Sequence, residues 1–351
     1  MASFSSASVV LSTAAATVST FPSSASFYKN PSLPILAKLQ RRTSPLSWST
    51  PPTSTSTSTP SFDLRVYWAE LITQIDAQLS KSTPIQYPES INESMRYSLL
   101  CPGAKRAPPV MCIATACDLL GATQEAAYPT ACALEMVHAA SLVHDDLPCM
   151  DAAPLRRGRP TNHSVFGTEI ALLAGDALFP HAFRHIASKT PYDLVSEETI
   201  LRVITEIARA VGSKGMATGQ LLDLGHNTGV TDVMEVLERK FGEMAECSAV
   251  CGGLLGGAEG EVLECLRRYG RVVGVLYQVV DDILMEEGDN GEKMRSNASV
   301  VGAYGMERAL EIMEELRVKA KTEINVLSHR FGAQRVLALD SFVDFAVGRD
   351  D

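Results

Sequence analysis

Two pairs of adjacent carboxylates interrupt apolar runs in this 351-residue sequence: Asp145-Asp146 within His144-Asp145-Asp146-Leu147-Pro148-Cys149-Met150-Asp151, and Asp281-Asp282 within Val279-Val280-Asp281-Asp282-Ile283-Leu284. Both stand at helical positions that should face a core, where an uncompensated ion costs several kcal/mol. Pro148 frees backbone groups near the end of the first segment, which lets Asp145, Asp146 and Asp151 converge on one point. Mg2+, a hard cation that takes oxygen ligands and shares them with a diphosphate, would neutralise such a cluster. A solvated acidic helix end explains one pair equally well, but not two pairs 136 residues apart with cations nearby. Those cations follow at once in Arg156-Arg157-Gly158-Arg159-Pro160-Thr161-Asn162-His163, where guanidinium forks match phosphate oxygens.

Thiols are the second chemically interesting set. Cys247 and Cys251 lie four residues apart, on one face of a helix, beside Gly252 and Gly253. A zinc site needs two further ligands at recognisable spacing, and none is near, so small buried hydrophobes are the simpler reading. Cys112 and Cys117 are five apart, which on a regular helix separates them by about 140° rather than about 40°. Only a π-turn or local unwinding would realign them. Eight cysteines in a chain of this length are too dilute for a disulfide scaffold and indicate a reducing compartment.

The elements that must position these groups are helices. Apolar residues recur at three- and four-residue spacing over 64–79, 127–143, 169–187, 197–211, 234–255, 262–284 and 306–327. Pro, Gly and polar clusters break the pattern at 84–88, 102–109, 155–160, 189–192, 225–229 and 256–260, and alternating strand patterns are missing. The expected fold is all-α, a single bundle of about ten helices over residues 61–351. A content of 46% hydrophobic and 21% charged residues can fill such a core, and a net charge of −10 argues against nucleic-acid binding. No run of about 18 apolar residues offers a transmembrane segment. Residues 1–62 hold no Asp or Glu, 26 Ser or Thr and only Lys29, Lys38, Arg41 and Arg42 as cations. That composition is expected of a chloroplast transit peptide over residues 1–60.

The blocks HDDLPCMD (144–151), RRGRPTNH (156–163), LLAGDALF (172–179), GMATGQLLDL (215–224) and YQVVDDIL (277–284) together resemble the trans isoprenyl diphosphate synthases. The resemblance implies the isoprenoid synthase fold, with two Asp-rich motifs facing each other across a central cavity. They would bind an allylic diphosphate through Mg2+, and isopentenyl diphosphate would attack the carbocation formed from it. It also implies that Asp145, Asp146 and Asp151 hold metal, with Asp281 and Asp282 as a weaker second set. Lys105, His138 and Arg157 would hold the isopentenyl diphosphate, and Arg156, Lys240 and Gln278 the allylic one.

Departures from the pattern matter as much. Where the family reads Lys-Arg-x-Arg-Pro, this chain has Lys105-Arg106-Ala107-Pro108-Pro109. A lost charge-assisted phosphate contact is worth roughly 1.5–3 kcal/mol. The second motif ends on Met285 rather than Asp, and a thioether does not replace a carboxylate on Mg2+. Glu286 is adjacent but about 100° out of phase. Phe241 follows Lys240 where a Thr is usual, and Asn297 and Ser299 stand in a region where the family supplies lysines, leaving Lys293 and Arg295. No catalytic residue is assigned on this pattern.

An eroded second motif together with Cys247-x-x-x-Cys251 is similar to the small subunits of plant heteromeric geranyl and geranylgeranyl diphosphate synthases. This implies that Cys247 and Cys251, and more weakly Cys112 and Cys117, serve binding to a catalytic large subunit in the plastid stroma. Three readings follow. The first is a non-autonomous subunit, weak or inactive alone, that modifies the large subunit's activity or product length. The second is an active homodimeric geranylgeranyl diphosphate synthase. The third, a terpene cyclase of related fold, fits poorly with the arginine block and paired motifs.

Overall fold

The computed structural model describes residues 62–225, 232–287 and 298–348. The proposed transit peptide, and Lys293, Arg295 and Asn297, lie outside them.

Among the described residues the chain is helical almost throughout, as the apolar periodicity requires. Asp63, the first acid in the sequence, caps α1 (Leu64–Ser82) by accepting from the Arg65 N–H at 2.9 Å. Then come α2 (Glu89–Leu99), α3 (Ala107–Ile113), a π-turn (Ala114–Leu119) and α4 (Gln124–Asp145), which Thr123 caps. The periodicity did not point to α2 or α3, and the expected break over 102–109 needs correction. Pro108 and Pro109 sit inside the first turn of α3, where a missing N–H leaves no helical bond unmade.

A two-residue antiparallel ribbon follows, β1 (Leu155–Arg156) against β2 (Arg159–Pro160), with Gly158 at φ +71° in its turn. This is the one strand pairing among the described residues, and it carries the arginine block. After it run α5 (Asn162–Phe166), α6 (Thr168–Lys189), α7 (Glu197–Val211) and α8 (Met216–Asp223). A second π-turn, Glu238–Gly242, joins α9 (Val233–Leu237) to α10 (Glu243–Leu255). The chain ends with α11 (Gly260–Glu287), α12 (Val300–Tyr304), α13 (Met306–Phe331) and α14 (Ala333–Gly348), the last another helix beyond the seven periodic runs.

α4 is central because its residues allow it. Ala126, Ala127, Ala131, Ala133, Ala139 and Ala140 are all buried, so neighbours approach on every side. α4 packs chiefly on α6, α10 on α11, and α11 on α13. One large apolar cluster runs through α1, α3, α4, α7, α10, α11, α13 and α14. No helix among the described residues is long and apolar enough to cross a membrane.

Candidate functional site

The first acidic pair ends α4. Asp145 is the last helical residue and Asp146 its cap, after which the chain turns back so that the Asp151 N–H donates to the Asp145 carbonyl at 3.0 Å. Opposite stands the ribbon. Arg156 Nε donates to Asp146 Oδ2 at 2.8 Å, its Nη2 donates to Oδ1 at 2.7 Å, and the same Nη2 lies 3.7 Å from Asp145. Asp146 is only 2% exposed, and this forked pairing compensates its burial. Desolvation pushes its pKa up while Arg156 pulls it down.

Lys240 reaches the same point from the π-turn between α9 and α10. Its Nζ lies 2.6 Å from Asp223 Oδ2 and 3.7 Å from Asp145 Oδ1. Gly219 of α8 makes this possible, since a Cβ there would lie 2.8 Å from the Lys240 backbone nitrogen. Asp223, 5% exposed, was not singled out as a site residue from the sequence, although it lies in the GMATGQLLDL block. A lone carboxylate in an apolar helix was the signal available. Asp145, Asp146, Asp151, Arg156 and Lys240 therefore form one cluster, with Asp223 added. Asp151 is raised in pKa by desolvation and then by the charges of Asp145 and Asp223, with Lys240 opposing.

The second pair is put to different use. Asp282 accepts the Val300 N–H at 2.8 Å and the Gln278 amide at 3.1 Å. It thus holds the start of α12 onto α11, and its burial raises its pKa. Ser299 caps α12, accepting the Gly302 N–H at 3.1 Å, so this residue has a structural role at the helix start. Met285 is half-buried and Glu286 exposed.

Among the residues expected to bind isopentenyl diphosphate, His138 feels the charge of Arg157, and Lys105 lies over Tyr277. Desolvation lowers the His138 pKa, Glu135 opposes, and Arg157, Arg156 and Arg106 push it further down. Lys105 places its Nζ 5.4 Å from the Tyr277 ring centre, on α11 beside Gln278. Its neighbour Arg106 turns inward, 3% exposed, and donates to Glu135 Oε1 at 2.6 Å and to Asp76 at 2.8 Å. A cleft of about 460 Å3, open space included, lies between α2, α4 and the ribbon, with Arg156, Arg157, Arg159 and Glu135 in its wall. Asp146, already paired with Arg156, lines it too, so Arg157 and Arg159 are the guanidinium groups there that could meet an anion.

Backbone strain marks the same region. Arg106, Ala152 and Arg157 have φ of +53°, +51° and +53°, and they adjoin Lys105, Asp151 and Arg156 respectively. Left-handed conformations at non-glycine residues cost of order 1–3 kcal/mol and concentrate where side chains must be aimed.

No group of three or more His, Cys, Asp or Glu side chains among the described residues stands ready to hold a metal alone. The donor set nonetheless fits Mg2+, which takes one or two carboxylates and completes its shell with substrate phosphates and water. Asp145 and Asp151 would supply those carboxylates, whereas Asp146 and Asp282 are engaged with Arg156 and Val300.

The thiols lie elsewhere. Cys247 and Cys251 are 1% and 0% exposed, with their sulfurs 3.8 Å apart. Gly252 beside them would bring a Cβ to 2.5 Å from the Cys112 carbonyl oxygen, so α10 packs backbone to backbone against the α3 segment. The π-turn over 114–119 supplies the irregularity that the five-residue spacing of Cys112 and Cys117 requires. Burial pushes the Cys112 thiol well up, and its nearest charge neighbours are Cys117, Cys247 and Cys132. In this chain taken singly Cys117 is half-buried, and Cys112, Cys247 and Cys251 are buried. These thiols are packing groups between two of its own helices.

The polyprenyl synthetase family model matches residues 88–296. The heterodimeric geranylgeranyl pyrophosphate synthase small subunit of Arabidopsis thaliana, a chloroplastic protein, is 56% identical over 300 residues, 84% of this chain and 88% of that one. The chloroplastic large subunit 1 of the heterodimeric enzyme from the same plant is 42% identical over 278 residues, 75% of this chain and 74% of its own. Among solved structures, an FPP/GFPP synthase from Zymomonas mobilis superposes with a TM-score of 0.71 at 29% identity, covering 81% of this chain and 98% of the other.

Proposed function

We propose that this chain, which belongs to the polyprenyl synthetase family, is the small subunit of a heterodimeric geranylgeranyl diphosphate synthase. It would pair with a catalytic large subunit and change that subunit's activity or product length. The observation that carries the reading is an asymmetry. The first acidic turn is assembled with Arg156 and Lys240, while the places where the family has an arginine, an aspartate and lysines hold Pro108, Met285 and Asn297. Likeness to a small subunit at 56% identity supports it.

Pro108 removes a backbone N–H as well as a guanidinium from the start of α3, where an anion would meet the helix N-terminus. Asp282 is committed to the Val300 N–H. An allylic diphosphate would therefore be held at the first turn, by Asp145 and Asp151 through Mg2+ and by Arg156 and Lys240 directly. When bound, Mg2+ supplies neutralisation of the diphosphate charge as the allylic carbon–oxygen bond breaks. Arg156 and Lys240 hold the phosphate oxygens, and His138, kept neutral by burial beside Arg157, offers a hydrogen bond without adding charge. The Ser- and Thr-rich N-terminus and the chloroplastic relatives support import into the chloroplast, with the stroma as working compartment.

The second reading, an active homodimer, is favoured by the intact first turn. Prenyltransferase assay of the purified chain, alone and mixed with a plastid large subunit, separates the two. Little turnover alone, with altered rate or product length on mixing and co-elution of the two chains, is the expected result. Full turnover alone with no response to the large subunit rejects the small-subunit reading.

A further inference from the structure

The two residues that bracket the first acidic pair are both clamped to α6. On the far side, Leu147 packs with Val143 against Ala171 in a small apolar cluster separate from the main core. On the near side, His144 lays its ring edge against the backbone of α6 at Gly175, where a Cβ would fall 2.1 Å from Nε2 and 2.4 Å from Cδ2. Since a carbonyl only accepts, His144 Nε2 donates to the Leu172 oxygen, at 3.1 Å, and Asp176 Oδ1 stands 3.8 Å from the same nitrogen. The ring of Phe179 closes the contact at 6.2 Å between centres. Four residues within about two turns of α6 thus grip a single imidazole, and the next two residues of the chain are Asp145 and Asp146.

We propose that His144 is a positioning residue for the first acidic pair: α6 holds it through Gly175 and the Leu172 carbonyl, and it sets where the Asp145 carboxylate points. Asp145 needs such support. It is the last residue of α4, where a helix frays, and it carries opposing pulls from Lys240 and Arg156 at 3.7 Å each. A metal-binding carboxylate tolerates displacement of a few tenths of an ångström, so a residue that fixes its helix end acts on affinity without touching the ligand. The inference rests on the reading of Asp145 and Asp151 as the diphosphate and Mg2+ site.

Calorimetric titration of the full chain with geranyl S-thiolodiphosphate, an unreactive allylic probe, in the presence of Mg2+ tests it. His144→Leu removes the donor, and Gly175→Ala evicts the ring from the α6 side. Each should weaken binding about tenfold, the worth of roughly one hydrogen bond and its orientation. The Mg2+ concentration giving half-maximal binding should rise with it. His144→Gln, whose amide can reach the Leu172 carbonyl, should recover most of the loss. The double variant His144→Leu with Gly175→Ala should be no weaker than either single one, because both break one contact. Thermal denaturation of each variant supplies the control. Unchanged affinity in His144→Leu and Gly175→Ala overturns the inference, and so does a loss that follows the melting temperature alone and is not rescued by Gln. Absence of binding by the unmutated chain overturns the site reading itself, and the inference with it.

Discussion

Single substitutions decide most of the chemistry that separates this chain from a complete synthase. Pro108 occupies the second position of α3, so a residue that could have reached a phosphate now only fits the helix start. Met285 offers a thioether where Mg2+ wants oxygen. Restoring both in Pro108→Arg with Met285→Asp should raise turnover of the isolated chain by one to two orders of magnitude, roughly what a charge-assisted phosphate contact supplies. Steady-state assay without the large subunit checks this, and no gain would place the deficit in the cavity's shape. Ala152 makes a simpler point. At φ +51° it holds a conformation that glycine adopts without strain, so Ala152→Gly should not destabilise the fold and should raise its stability by up to about 1 kcal/mol, read as a higher melting temperature.

At the scale of elements, two π-turns do the aiming. The one at 238–242 presents Lys240 to Asp145 and Asp223, and the one at 114–119 meets α10 beside the buried thiols. Small residues let α10 reach α3: Gly252 faces the Cys112 carbonyl, and Cys247 and Cys251 fill the seam on the same helix. Replacing both thiols by Ser would bury two hydroxyls in an apolar seam. It should destabilise the chain by about 1–3 kcal/mol for each hydroxyl left without a partner, while Ala at both sites should be milder. Denaturant unfolding of the chain alone checks this. Any loss of partner binding in the Ser variant should then follow loss of stability, and a reducing agent should change neither.

At the scale of the molecule, ions join what the apolar core leaves open. Glu243 and Glu246 of α10, 1% exposed each, receive Arg209 from α7 and Arg271 from α11, with Arg271 Nε 2.6 Å and Arg209 Nη2 2.8 Å from Glu246. Glu206 of α7 shares Arg209 and Arg267, which lower its pKa against the upward pull of burial. Glu246→Ala would take a shared acceptor from three part-exposed arginines that keep Glu206 or Glu243, at a cost of about 1–3 kcal/mol. The expected reading is a melting temperature lower by roughly 5 °C.

The sequence by itself determined the helical class, the two acidic pairs, the arginine block and the three eroded positions, because each is written in local spacing or in the chemistry of one side chain. Leu, Val and Ala at three- and four-residue intervals force helices whatever the partner, and proline at position 108 lacks a guanidinium in any fold. Tertiary structure decided what those groups are paired with. Asp282 became a support for α12 because Val300 is brought to it from 18 residues away, and Asp223 joined the site because Lys240 folds over it. Arg106, next to a residue expected at the ligand, points instead into the core toward Glu135. Cys247 and Cys251, read from the sequence as small buried hydrophobes, are interior, and what they meet is the segment of Cys112, more than a hundred residues earlier, which packs on Gly252 beside them. Spacing along a chain fixes which face a side chain takes. Only the packing of distant segments fixes what that face meets, since burial and pairing energies depend on neighbours that local pattern does not encode.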